Sequence, residues 1–561
     1  MAAHSDALAL DGSQAILGPN PIVGFRPRDV LREGLKAAGL ALRQPRRTGQ
    51  VAQGLLREWA KVVQGQSTLQ PSPQDPRFAD PGWMESASTR RVLQAYLAWV
   101  QATGRWAEEQ VELSAFGRAR LEYLRSLVND AIAPSNFPIH PAALRRYRET
   151  GGQSARDGFQ HFLRDLIENN GLPSQVDKSQ FAVGGNLALS AGGVVYRSDV
   201  LELIQYAPST AQVRQIPLLI VPPQINKFYL FDLSPQKSVI KALVDQGFTV
   251  FAISWRNPTR LHADWGLAEY SAAIEMAVSA ICHIGGQSKV NVVGACAGGI
   301  TLAAFVAARR AVGDERIQSL TLLVNVLDTT ALGDTALGLF ASPRIIESVR
   351  RRSQRQGVLD GKDLASSFAW LRPNDLIWNY WVNNVLLGQK PPAFDILYWN
   401  SDTTRLPARL HGEFIDLYTS AGLTRPGAVR LQGVPVDLAN VDCDNYLVAG
   451  TTDHITPWKA CYRNTQLLGG QSTFVLSHSG HIQSILNPPP GGKKAEFFTG
   501  NAEFPSAEEW REGAERYAGS WWPHWHDWLR RRSGEQRPAP AELGNGNYPV
   551  QCPAPGRYVL E

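Results

Sequence analysis

Cysteine is scarce and unpatterned. The 561 residues hold five, Cys282, Cys296, Cys443, Cys461 and Cys552, an odd number with no Cys-x-x-Cys pair. That argues against a disulfide framework and against a zinc cluster, and it fits a reducing cytoplasm. Strong charge of one sign is missing as well. A net charge of +5 spread over this length does not make nucleic acid a partner. The first residues, MAAHSDALALDGSQ, place Asp6 and Asp11 where a secretory signal would need basic residues and then an apolar run, so export is not expected. No stretch offers about 18 to 20 consecutive apolar residues, so a spanning helix is not expected and any membrane attachment would be peripheral. A phosphate-binding glycine loop and a metal-ligand cluster are both lacking, which leaves no residues to hold a metal or a nucleotide cofactor.

What is present is a large apolar content. Hydrophobic residues make up 44% and charged residues 19%, enough for two or more compact domains with sizeable cores. From Arg28 to Leu172 the pattern is helical: Val51, Leu55, Leu56, Trp59, Val62 and Val63 recur at three- and four-residue spacing, as do Val92, Leu93, Tyr96, Leu97 and Val100. Residues 1–175 are therefore expected to form a helical N-terminal domain. Its proline-rich break, Gln70 to Trp83, reads as an extended surface or docking segment.

After Phe181 short β-branched runs alternate with helical stretches, the texture of a parallel sheet covered by helices. Strands are expected at Val194–Arg197, Pro217–Val221, Thr249–Trp255, Val290–Gly294, Leu320–Leu327, Tyr446–Ala449 and Thr473–Leu476. Residues 176–561 then make an α/β domain. The long interval before the Tyr446 strand predicts an inserted cap over about residues 329–440. Tryptophan falls in two clusters, Trp370 to Trp399 and Trp510 to Trp528. Most of the first reads as subdomain core, with Trp399 kept as substrate-adjacent, and the second as an amphipathic helix closing the core.

The chemistry is concentrated in KVNVVGACAGGI, Lys289 to Ile300, a strand that runs into Gly294-x-Cys296-x-Gly298-Gly299 and then a helix. This is a nucleophile elbow with Cys in the place of Ser. The flanking glycines suit a strained turn where a Cβ would clash, and the helix N-terminus favours a thiolate and a developing oxyanion. An elbow needs an acid and then a histidine at later strand ends, in that chain order. TTDHITP supplies Asp453, and SHSGHIQ supplies His481, which leaves its strand through a glycine turn. His478 and His454 compete for the base role, with His454 placed to orient the acid or touch substrate, and Asp328 is the alternative acid. The backbone N–H of Ala297 is one expected oxyanion donor; the second is placed around Gln224 to Asn226, with Ile225 named. A thiol nucleophile forms a thioester as activated as an acyl-CoA, which suits transfer to a hydroxyl rather than hydrolysis.

These residues resemble the polyhydroxyalkanoate synthases. Besides the elbow, the resemblance rests on VPPQINKFYLFDL (Val221 to Leu233), WLRPNDLIWNYWVNNVLLG (Trp370 to Gly388), FDILYWNSDTTRLP (Phe394 to Pro407) and SGHIQSILNPP (Ser479 to Pro489). FAVGGNLALSAGGVVYR, ELIQYAP and DPRFADPGW extend it over nearly the whole chain. The Ala-Cys-Ala form of the elbow is most similar to the class II, medium-chain-length type. The resemblance implies an α/β-hydrolase core with an inserted cap, preceded by the helical domain. It implies polymerisation of (R)-3-hydroxyacyl-CoA to a polyester with release of CoA, and no cofactor beyond the CoA of the substrate. It implies Cys296 as the residue that holds the chain, His481 as base and Asp453 as acid, leaving open whether Asp453 or His481 activates the 3-hydroxyl of the incoming monomer. A cytoplasmic location at polyester granules, contact with the growing chain and the granule surface, and a homodimer are further implications. An acyl-CoA thioesterase shares the elbow, acid and histidine. A granule-coat structural protein would explain exposed aromatics but not the ordered Cys, Asp and His.

Overall fold

The computed structural model of the chain describes residues 27–110, 113–169, 171–332, 343–361, 373–453, 455–486 and 495–561. Two compact units emerge. One is drawn from Phe25–Asp177 together with Ser366–Pro392, the other from Lys178–Ala365 together with Ala393–Glu561. Ser366–Pro392 comes from the middle of the segment expected as a cap, and it belongs with the helical unit; Trp378 and Trp381 go with it, while Trp370 and His454 lie outside the described residues.

The helical unit contains α1 (Pro27–Arg43), α2 (Pro45–Gln64), α3 (Ala87–Glu108), α4 (Ala115–Ile132), α5 (Pro141–Glu149) and α6 (Gln153–Glu168). Local chemistry sets their ends. Helix α2 starts with Pro45 in its first turn and stops at Gly65, which takes the left-handed conformation. Ser114 caps α4 through the Gly117 N–H, and the His140 ring caps α5 through that of Ala142. The proline-rich break is docked rather than loose: Phe78 and Trp83 are buried against Leu93, Tyr96 and Ala133, and Arg77 bridges Asp75 and Asp130. Burial of two aromatic rings overrides the extended tendency of the prolines. The 366–392 piece joins this unit through the Trp381 indole on the Asn136 carbonyl at 2.9 Å and the Asn384 amide on that of Ser174 at 2.7 Å.

The second unit is built on an eleven-stranded sheet. In chain order its strands are β1 (Gly192–Arg197), β2 (Leu201–Tyr206), β3 (Leu218–Val221), β4 (Val250–Trp255), β5 (Val290–Ala295), β6 (Ile317–Leu323), β7 (Asn445–Gly450), β8 (Ser472–Ser477), β9 (Glu496–Asn501), β10 (Glu515–Ala518) and β11 (Cys552–Pro553). They lie side by side in the order β10-β9-β8-β7-β6-β5-β3-β4-β2-β1-β11. The central run from β4 to β8 is parallel, and the flanking strands are antiparallel. All seven expected strands are present. Strand β6 ends at Leu323 instead of Leu327 because Val324 has φ +44°, which turns the chain out of the extended region.

Helices α7 (Val239–Asp245), α8 (Leu267–Gly285) and α9 (Cys296–Ala311) follow β3, β4 and β5. Helix α8 has the length and hydropathy of a membrane span, but it is the β4–β5 connection and half of its apolar window is buried in the protein. Strand β4 lies on one side of β3 and β5 on the other, so the strand order reverses at β3, where an open α/β sheet places its site. Later in the chain come α10 (Asp395–Ser401), α11 (His481–Ile485) and α12 (Trp522–Arg530). The second tryptophan cluster is core, with Trp510, Trp521, Trp522, Trp525 and Trp528 all buried.

Candidate active site

Strand β5 ends at Ala295 and α9 begins at Cys296, so the thiol stands at the turn itself. Cys296 has φ +47°, a backbone conformation that L-residues rarely adopt. The glycines explain how the turn closes. A Cβ on Gly294 would lie 2.7 Å from the Gly299 Cα, and one on Gly298 would lie 2.4 Å from the Pro222 carbonyl oxygen. The side chain of Asn325, just past β6, fastens the elbow: its Nδ2 donates to the Cys296 carbonyl at 2.7 Å. Asn325 is itself held by Asn464, whose amide donates to the Asn325 carbonyl at 2.8 Å and accepts from the Leu327 N–H at 3.0 Å.

Asp453 follows β7 in a tight turn. Its Oδ1 accepts the N–H groups of Ile455 at 2.9 Å and Thr456 at 3.0 Å. Its Oδ2 accepts the Thr456 hydroxyl at 2.6 Å and pairs with His481 Nδ1 at 2.7 Å. Acid and histidine are buried together, with side-chain exposures of 0% and 2%. The Cys296 side chain also acts electrostatically on the His481 ring. The structure thus brings Cys296, Asp453 and His481 together at the carboxyl ends of β5, β7 and β8.

The charges follow from this arrangement. Burial works against ionisation of Asp453, but the His481 charge and the hydrogen bonds from His481 and Thr456 hold its carboxyl below the ordinary carboxylate range. Burial likewise opposes a charged His481, yet Asp453, with a smaller contribution from Cys296, lifts the ring to about 10. This pairing favours the imidazolium form of His481, so a proton taken from a neighbour is stabilised there.

Two of the competing residues have partners of their own. His478 is exposed at the end of β8 and meets the Thr451 hydroxyl. Asp328 is engaged elsewhere, with one oxygen on the Thr330 backbone and hydroxyl and the other on Arg463 at 2.7 Å. Ala297 begins the first turn of α9 and is buried. Ile225 is buried in the loop after β3, which is fixed on several sides: the Gln224 amide donates to Thr301 Oγ1 at 2.8 Å, and the Thr404 hydroxyl donates to the Gln224 carbonyl at 3.1 Å. Trp399, on α10, is fully buried and donates its indole N–H to the Lys227 carbonyl at 2.8 Å, so it braces this loop. The Lys227 ammonium, also buried, donates to the carbonyls of Val559 at 2.6 Å and Glu561 at 2.8 Å.

Sequence reasoning missed the supporting residues. Asn325 and Thr456 carried signals: an amide inside the apolar run LLVNVL, and a hydroxyl three residues after an acid at a strand end. Trp521 and Trp522 carried none. Their indoles donate to the carbonyls of Ser484 and Ile485 at 2.8 and 3.1 Å, which anchors α11, the helix that begins with His481.

Known proteins match this chain along its length. Residues 74–243 match the family described as poly-beta-hydroxybutyrate polymerase (PhaC) N-terminus, and residues 217–488 match the alpha/beta hydrolase fold. Poly(3-hydroxyalkanoate) polymerase 1 of Ectopseudomonas oleovorans is 48% identical over 558 residues, covering 100% of this chain and 99% of the relative. Polymerase 2 of the same organism is 48% identical over 542 residues, covering 96% of each chain. The poly(3-hydroxyalkanoate) polymerase subunit PhaC of Cupriavidus necator is 38% identical over 540 residues, covering 94% of this chain and 90% of the relative. With end-to-end identity of this degree laid over an α/β-hydrolase sheet whose elbow carries cysteine, the chain belongs to the poly(3-hydroxyalkanoate) polymerase family.

Proposed function

We propose that the chain polymerises (R)-3-hydroxyacyl groups from CoA thioesters, with Cys296 as nucleophile, His481 as general base and acid, and Asp453 as the partner that orients and charges His481. The observation that carries this reading is the contact chain Asp453–His481–Cys296 on a strained elbow. His481 takes the thiol proton, and the thiolate attacks the acyl-CoA carbonyl. The oxyanion is met by the Ala297 N–H and by the Ile225 N–H. Pro222 and Pro223 have no N–H, so the first donors available after β3 are those of Gln224 and Ile225. CoA leaves with the proton from His481, and the acyl group remains on Cys296 as a thioester. The 3-hydroxyl of the next monomer then gives its proton to His481 and attacks that thioester. An ester forms, the C–S bond breaks and the thiol is restored. The lengthened chain, now on CoA, returns to Cys296 by the first step.

His481 is the group that activates the hydroxyl in this reading. Four donors already fill the two oxygens of Asp453, as many as a carboxylate has lone-pair sites, so a substrate hydroxyl has no acceptor left there. The medium-chain-length preference rests on resemblance, supported by 48% identity to the Ectopseudomonas oleovorans polymerases against 38% to the Cupriavidus necator subunit. Cytoplasmic granule association and a homodimer rest on the same resemblance. Association with an apolar surface is supported by Phe159, Leu163, Leu166 and Ile167, which lie on one face of α6 and are 42% to 83% exposed.

The test is CoA release from (R)-3-hydroxydecanoyl-CoA by the wild type and Cys296→Ala, with product analysis and mass-spectrometric mapping of the acylated residue. Polymer from the wild type, acyl groups on Cys296 and no release by the variant are expected. Free hydroxy acid as the product would turn the assignment to a thioesterase, and release by Cys296→Ala would remove the nucleophile.

A further inference from the structure

We propose that Thr456 is a positioning residue of the acid–base pair: its hydroxyl fixes Asp453 in the arrangement that serves His481 alone. The inference rests on the catalytic reading of Cys296, Asp453 and His481 given above. The turn after β7 does not need this hydroxyl, because the N–H groups of Ile455 and Thr456 already close it on Oδ1. The hydroxyl goes to the other oxygen, Oδ2, at 2.6 Å, which is the oxygen that pairs with His481. Its own oxygen lies 3.2 Å from His481 Nδ1, so the proton points to the carboxylate and a lone pair faces the ring N–H.

The backbone of Thr456 sets the direction of that hydroxyl. Its N–H is bound to Asp453, and its carbonyl accepts the Cys461 thiol at 3.4 Å. A β-branched side chain between two fixed backbone groups has few rotamers to choose from. Thr456 is 7% exposed, so water has little access to take the place of the hydroxyl. Among the described residues, the titratable groups that face Asp453 are His481 from α11, Cys461 from the helix Trp458–Tyr462, and Cys296 through His481. Cys461 is kept neutral by burial, so the Asp453 charge is held by His481 and Thr456 together with the turn N–H groups. Without the hydroxyl, the charged carboxylate loses one of four stabilising donors and protonates at a higher pH.

The experiment compares Thr456→Val, which removes the hydroxyl at nearly constant shape, with Thr456→Ser, which keeps it. CoA release from (R)-3-hydroxydecanoyl-CoA is measured between pH 3 and 9, with the thermal midpoint at each pH as a control on folding. For the valine variant the expected result is a fall in kcat of about tenfold, little change in KM, and an acid limb moved up by about one pH unit. Serine restores both. A valine variant with the wild-type acid limb and kcat overturns the proposal, as does a serine variant as impaired as valine, which would assign the effect to the methyl group. Should the valine variant not fold, Thr456→Cys is measured in its place with the same expected shift. Cys296→Ala separates the two readings. If it is inactive while Thr456→Val behaves as wild type, only the role of Thr456 falls; if it remains active, the catalytic reading itself falls.

Discussion

At the scale of one residue, the site is marked by a dihedral. Cys296 is held at φ +47°, and a non-glycine residue in such a conformation costs of order 1–3 kcal/mol. The Asn325 amide on its carbonyl and the close approach of Gly298 to Pro222 hold it there. The strain belongs to the Cβ, which suggests a comparison in which the sulfur is absent from both members. Cys296→Ala keeps the Cβ and Cys296→Gly removes it, and both are inactive in the proposed mechanism. The glycine variant is expected to unfold at a higher urea concentration than the alanine variant, by the equivalent of about 1 kcal/mol, since relief of strain outweighs the extra unfolded-state entropy of glycine. A glycine variant less stable than the alanine variant would mean that the turn stores no strain.

At the scale of the element, α11 begins with His481, the proposed base, and is too short to hold itself. Its last carbonyls are received by Trp521 and Trp522, whereas Trp525 donates to the Thr321 hydroxyl in the sheet core. Replacing any of these by phenylalanine removes one buried hydrogen bond, with a destabilisation of about 1–3 kcal/mol. Only the first two substitutions free α11. Trp521→Phe and Trp522→Phe are therefore expected to lower kcat several-fold more than Trp525→Phe at a matched loss of thermal stability; equal losses of kcat would show that α11 needs no such anchor. Elements also show what the sequence made legible. The strands at the heart of the sheet were readable because burial on both faces leaves continuous apolar runs, and the elbow because its glycines answer a local steric demand. Leu201–Tyr206 does not read as a strand in sequence, since Glu202 and Gln205 interrupt its apolar pattern although both are buried. Arg197 meets Glu202 across the β1–β2 turn, but its other oxygen is satisfied from far along the chain by the N–H groups of Arg557 and Tyr558, and no local pattern reports such a partner. The same limit hid the two indoles, whose partners on α11 lie 37 residues away. A long interval between strands shows that something is inserted, but not that Ser366–Pro392 packs with helices two hundred residues earlier. There the Gly158 position, where a Cβ would meet the Val385 carbonyl at 1.9 Å, is the contact that the sequence alone could not announce.

At the scale of the whole molecule, the buried acid–base pair ties stability to pH. Asp453 has its carboxyl lowered and His481 its ring raised, so each favours its charged form in the folded state. The two contributions have opposite signs with pH. The carboxylate stabilises the fold above its ordinary unfolded range and is lost as pH falls through the lowered folded value. The imidazolium contribution is fully present below the unfolded value of 6.5 and is lost as pH rises toward about 10. Both act in mildly acidic solution, and only the first survives in strongly alkaline solution. Replacing His481 by Gln removes the raised group and leaves Asp453 without its cation. The difference in unfolding free energy between wild type and His481→Gln, measured in denaturant for the full chain, is therefore expected to be larger at pH 6 than at pH 9, shrinking steadily across that interval. A difference that stays constant would show that the ring is neutral in the folded protein over this range. The proton would then have to reach His481 only during catalysis, and the resting site would hold an uncharged imidazole against Asp453.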